Sequence, residues 1–148
     1  MAHEFKIERR VEFAETDMAG IVHFSNFFRY MEATEHAFFR SLGHSLHSSE
    51  DGGMQGWARA HAACDYKAPL RYQELFEVRL VVRAKRPTTL AYDFHFTSGG
   101  REVARGELTV VCVARKAGEE AMRPAPMPAA IDAAVEVAPA ELLEPRNA

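Results

Sequence analysis

Residues 24–42 read FSNFFRYMEATEHAFFRSL. Phe24, Phe27, Phe28, Met31, Thr34, Phe38 and Leu42 recur at spacings of three and four, which places them on one face of a helix. Thr34 is the only polar member of that face, and it is small. Arg29, Glu32, His36 and Arg40 fall mostly elsewhere, while Glu35 sits close to the apolar face. Ser25 suits an N-cap and Gly43 the position just past a helix end. A helix over 25–42 is therefore expected, about 27 Å long at 1.5 Å per residue. So much aromatic bulk on one face requires a sheet wrapped against it.

On both sides of this helix the period changes to two, the signature of strands. Residues 5–13 alternate loosely. After a polar loop over 44–56, residues 57–66 alternate Trp57, Arg59, His61, Ala63 and Asp65 with Ala58, Ala60, Ala62, Cys64 and Tyr66. In 75–85, Phe76, Val78, Leu80, Val82 and Ala84 share a face. In 90–97, Leu90, Tyr92, Phe94 and Phe96 do the same. Ser98-Gly99-Gly100-Arg101 is a tight hairpin signal, and Leu108, Val110 and Cys112 line one face of a last strand over 102–115. The order is strand, long helix, then four antiparallel strands. This predicts an α+β domain with one hydrophobic helix wrapped by one curved antiparallel sheet. The domain takes up residues 1–128, followed by a short helix near 128–135 and a flexible tail through 148. Long sheet edges favour association, so a homodimer is expected.

Composition narrows the function. A chain of 148 residues supports one sizeable core. Its 47% hydrophobic and 26% charged content is ordinary for a globular protein. A net charge of −3 without a basic block argues against nucleic-acid partners. No apolar run is long enough to span a membrane, and the N-terminus lacks a signal-peptide pattern. Cys64 and Cys112 stand far apart, which fits reduced core thiols in a cytoplasmic protein.

The segment ahead of the helix, AETDMAGIVH over 14–23, carries the candidate chemistry. Asp17 and Gly20 precede the helix start. A helix N-terminus offers unsatisfied N–H groups and partial positive charge, suited to a developing oxyanion. Gly20 permits close approach to the backbone, and Asp17 places a carboxylate beside it. On spacing alone, Asp17 capping a turn and Gly20 supplying a permissive dihedral is the simpler account. No Ser lies in a GxSxG elbow. Gly52-Gly53 and Gly99-Gly100 read as turns. His44 and His47, with Glu50 and Asp51 nearby, belong to a loop, and no metal is expected there.

Thr16-Asp17-x-Ala19-Gly20-Ile21-Val22, followed by Asn26-Phe27 and by Glu32 within the helix, resembles hot-dog fold thioesterases of the 4-hydroxybenzoyl-CoA thioesterase family, which includes tol-pal-associated acyl-CoA thioesterases. Asp65-Tyr66-Lys67-Ala68-Pro69-Leu70-Arg71-Tyr72 resembles the family's stretch ahead of its third strand. The resemblance implies a thioesterase without cofactor or metal, acting on acyl-CoA as a homodimer or homotetramer. In it, Asp17 attacks the thioester carbonyl or activates a water, and a backbone N–H near Phe24 polarises that carbonyl. His23 would orient substrate or water, Asn26 would hold the Asp17 loop, and Glu32 would touch the acyl group. Arg86, Thr88 and Thr89, with Arg123 a weaker member, would contact coenzyme A phosphates, partly from the neighbouring subunit. An acyl-carrier-protein thioesterase and a non-catalytic acyl-CoA-binding module stand as alternatives. Phe13 and Phe24 occupy positions where relatives often carry Tyr or His, so the polarity of the substrate stays open.

Overall fold

The long aromatic helix, α1, spans Asn26–Ser41 and lies against one antiparallel sheet. The computed structural model describes residues 1–49 and 52–143. Strands run Glu4–Arg10 (β1), Met54–Tyr66 (β2), Leu75–Arg86 (β3), Thr89–Ser98 (β4), Arg101–Arg115 (β5) and Arg123–Pro124 (β6), and a short helix α2 covers Ala129–Ala134. The sheet order is β1-β3-β4-β5-β2, with β6 paired to β5. β1 is shorter than the 5–13 expected. Its chain leaves the sheet at Val11 and enters a 3-10 turn over Phe13–Glu15, ahead of the Asp17 segment.

The alternation in the sequence translates into burial. Phe76, Val78, Leu80 and Val82 of β3, Leu90, Tyr92, Phe94 and Phe96 of β4, and Leu108, Val110 and Cys112 of β5 are all buried. Each fully buried side chain of this size stabilises the fold by about 1.5–3 kcal/mol. The helix packs tightly at Gly106 of β5, where a Cβ would overlap the end of the Met31 side chain. Gly99 and Gly100 turn the β4–β5 hairpin at φ of 56° and 76°, a conformation open to glycine. Ile131, Val135 and Ala138 are buried, so the segment after β6 packs onto the domain. Ala2 pairs with Val135 beside the N-terminus.

Three expectations about α1 need correction. Phe24 is not on its buried face: it precedes the helix and is 61% exposed. Tyr30, Glu35 and Phe39 are buried as well, because the curved sheet embraces more of the helix than a single stripe. Ser25 does not cap through its side chain; its backbone is already helical, and its hydroxyl lies 2.7 Å from His23 Nδ1. Glu35 is fully buried, and its Oε1 stands 2.6 Å from Nη1 of Arg59 on β2. Burial pushes the Glu35 carboxyl up despite that guanidinium. Glu32 pairs with the same Arg59 at 3.1 Å. One cation from the outermost strand thus ties two carboxylates of the helix to the sheet.

Candidate active site

The Asp17 segment is a tight hairpin in its own right. Thr16 bridges Val22, the Asp17 N–H donates to Ile21 O at 2.9 Å, and the Gly20 N–H returns to Asp17 O at 3.0 Å. Gly20 closes the turn at φ 79°, where a side chain is strained. The Ala19 N–H donates to Asp17 Oδ1 at 2.8 Å. That bond holds the carboxylate through Oδ1 and is the Asp17 side-chain hydrogen bond among the described residues. The hairpin is also tied to its surroundings, with Ile21 bridging Arg71. The Val22 N–H donates to Leu70 O at 2.8 Å, and Asn26 Nδ2 donates to Glu15 O at 2.8 Å.

The turn into α1 has a particular donor inventory. The N–H groups of His23, Asn26, Phe27 and Phe28 donate to the carbonyls of Glu15, His23, Phe24 and Ser25. The Ser25 N–H donates to His23 Nδ1 at 3.3 Å. Among the described residues the Phe24 N–H has no acceptor. It stands where the positive end of the helix dipole adds to it. The Phe24 carbonyl, in turn, accepts the Tyr66 hydroxyl at 2.9 Å.

Asp17 and Phe24 line one apolar cleft of about 530 Å³ together with Val22, Phe27, Tyr66 and Leu70. Asp17 also lines a second cleft of about 580 Å³ with Phe13, Met18, Gly20 and Tyr72. The carboxylate therefore sits between two grooves. Such a place suits a substrate with an apolar group on one side of its reacting carbon and a second arm on the other. With an oriented carboxylate, an unpartnered N–H and a largely apolar surround, acyl transfer is the chemistry this geometry can perform.

A model of the thioesterase-like superfamily matches residues 11–135. The chain belongs to that superfamily. A 1,4-dihydroxy-2-naphthoyl-CoA hydrolase of Synechocystis is 26% identical over 86% of this thioesterase-like chain and 94% of its own length. Among solved structures, a hypothetical protein of Aquifex aeolicus superposes with TM-score 0.78 at 30% identity, over 89% of this chain and 99% of that one. A 1,4-dihydroxy-2-naphthoyl-CoA thioesterase of Synechocystis superposes with TM-score 0.76 at 25% identity, over 88% and 94%. The architecture, one central helix wrapped by an antiparallel sheet, is the hot-dog fold.

The remaining residues singled out in the sequence distribute as follows. The exposed His23 ring bonds to Ser25 and lies 4.6 Å from the Phe24 ring, and it does not line the Asp17 cleft. Glu32 is likewise outside the cleft, held by Arg59. Arg86, Thr88 and Thr89 form the β3–β4 turn, where Thr89 pairs with Val111 of β5. Arg123 of β6 pairs with Ala114 and so joins them at that end. Tyr66, in the cleft, pairs with Ala104 of β5. Seven residues of strand separate the two ends, about 23 Å at 3.3 Å per residue. Within one chain this cluster does not meet Asp17. The neighbouring cations of β3 are engaged elsewhere: Arg83 with Asp93, and Lys85 with the carbonyls of Asp132 and Val135 at the end of α2. Cys64 and Cys112 are free thiols. No group of three metal-ligating side chains occurs among the described residues; Glu50 and Asp51 lie outside them.

Sequence reasoning assigned no site role to Tyr66 or Leu70, although both fall in the second stretch that resembles the family. Tyr66 stands 42 residues from Phe24, and no local pattern announces that contact. Burial, with Cys64 a smaller cause, pushes the Tyr66 phenol up to about 12, so it is a hydrogen-bond donor at any physiological pH.

Proposed function

We propose that this protein hydrolyses acyl-CoA thioesters, with Asp17 as the reacting carboxylate and the Phe24 N–H as the oxyanion donor. The observation that carries this reading is the Phe24 N–H, unpartnered among the described residues, on a residue that lines the same apolar cleft as the oriented Asp17. The acyl group lies in the cleft of Phe24, Phe27 and Leu70, and the pantetheine arm leaves through the cleft of Phe13, Met18 and Tyr72. Oδ2 either attacks the carbonyl carbon or takes a proton from a water that does. The C–S bond breaks, the sulfur leaves as thiolate and takes a proton, and the second product is the free acid. In the attack route, water then hydrolyses the acyl–Asp17 anhydride. No cofactor takes part. A preorganised N–H donor contributes on the order of 3–4 kcal/mol to such a barrier. The aromatic lining, and the aromatic acyl groups in the names of the Synechocystis relatives, favour an aromatic acyl group over an aliphatic chain.

The working unit is a homodimer in the cytoplasm. Phe13, Met18, Phe24, Tyr66 and Tyr72 are all exposed around Asp17, an apolar ring that a second copy would cover. The Arg86, Thr88, Thr89 and Arg123 end of one subunit then serves the coenzyme A phosphates in the site of the other.

Free-thiol release from short and long aliphatic, benzoyl, hydroxybenzoyl and phenylacetyl-CoA tests this reading. Asp17→Asn is expected to lower turnover at least about 100-fold, or ~2.7 kcal/mol of barrier. Turnover untouched by that change moves the catalysis away from Asp17. Binding of acyl-CoA with no turnover in the wild type makes the protein a binding module or points to a carrier-protein thioester.

A further inference from the structure

Phe24 is poorly held by its own surroundings. It precedes the first residue of α1, and its side chain is 61% exposed. The direction of its N–H depends on the peptide linking it to His23 and on its own backbone angles. The first is held at the His23 carbonyl, which accepts the Asn26 N–H at 2.9 Å. The second is held at the Phe24 carbonyl, which accepts the Phe27 N–H at 3.3 Å and the Tyr66 hydroxyl at 2.9 Å. The hydroxyl supplies the shorter of these two bonds, and it comes from a different element.

Tyr66 is itself firmly placed. It is the last residue of β2, paired with Ala104 of the neighbouring strand. Its ring meets the buried Phe27 edge-on, with centroids 5.1 Å apart at 85°. Phe27 in turn rests edge-on against Phe96 of β4 at 5.2 Å. A chain of contacts thus runs from the sheet through one phenol to the turn that presents the free N–H. We propose that Tyr66 is a positioning residue: its hydroxyl fixes Phe24 against the sheet, so that the Phe24 N–H is aimed at the substrate carbonyl before substrate arrives. This rests on the reading of Asp17 and Phe24 given above.

Tyr66→Phe removes the hydroxyl and keeps the ring contacts. Its expected effect on benzoyl-CoA hydrolysis is a kcat lower by about 3- to 10-fold, the range of one hydrogen bond, with KM changed less than about twofold because the cleft keeps its shape. A second readout is the infrared band of 13C-carbonyl benzoyl-CoA bound to Asp17→Asn. Hydrogen bonding to the Phe24 N–H moves that band to lower frequency than in solution. Adding Tyr66→Phe to Asp17→Asn is expected to return part of the displacement. An unchanged kcat, a loss confined to KM, or a band unaffected by Tyr66→Phe overturns the proposal, as does absence of any bound-carbonyl displacement. If Asp17→Asn keeps full turnover while Tyr66→Phe lowers kcat and moves the band in the wild-type complex, the role of Asp17 fails and that of Tyr66 stands.

Discussion

At the residue scale, the site depends on a few backbone bonds that each tolerate little change. Gly20 holds φ 79° with open space where a Cβ would lie, so Gly20→Ala meets strain without collision. The expected cost is about 1–2 kcal/mol of stability, read from urea unfolding. Relaxation of that strain also rotates the Ala19 N–H away from Asp17 Oδ1, so thioester turnover is expected to fall by more than the unfolded fraction explains. A variant that is destabilised yet fully active would show that the turn does not aim the carboxylate. The turn at Asp17 and Gly20 was legible in the sequence because its geometry is local: an Asp whose side chain accepts from the N–H two residues on, a glycine at the positive-φ position, a helix start following. Tyr66 was not, because its partner arrives through the fold.

At the element scale, the strands were readable because both the alternation and the sheet have period two. The helix was readable in position and length, Asn26–Ser41 against 25–42 expected, but not in its full buried surface. A curved sheet contacts flanks that a flat one leaves wet, and Tyr30, Glu35 and Phe39 sit on those flanks. Glu35 has the largest consequence. Its carboxyl is raised by burial and lowered by Arg59, whose side chain is 31% exposed although its backbone lies on the open edge. A carboxyl raised in the folded state favours folding below its unfolded pKa, near 4.3, and this contribution is lost as pH rises through the folded value. Removing Arg59 widens the gap. Arg59→Met is therefore expected to destabilise by about 2–4 kcal/mol at pH 7, discounted from a fully buried pair for the exposure of Arg59. The loss should shrink toward pH 4, and Glu35→Gln added to Arg59→Met should recover part of it. Urea unfolding across that range checks the slope; a pH-independent loss would assign the effect to packing of the Arg59 stem.

At the scale of the whole molecule, β2 closes one end of the sheet order, and Ala58, Arg59, Ala60, His61 and Ala62 are all exposed along it. A long strand of small residues at an edge is open to pairing. Sedimentation is expected to give twice the 16.6 kDa chain mass. Ala60→Glu with Ala62→Glu places like charges across a two-fold contact and should shift the protein to monomer. Thioester turnover should fall with the dimer fraction, since the end proposed to bind phosphate is about 23 Å from the tyrosine in the cleft along one chain. A fully active monomer would require the coenzyme A contacts to come from elsewhere.

The link from Asn26 to the Glu15 carbonyl carries a consequence for exchange between relatives. It joins the hairpin bearing the carboxylate to the turn bearing the free N–H, so residues 12–26 behave as a single cassette. Grafting the hairpin alone onto another scaffold would sever the spacing between the carboxylate and the N–H. Moving the cassette whole, together with the tyrosine it leans on, would carry that spacing across intact.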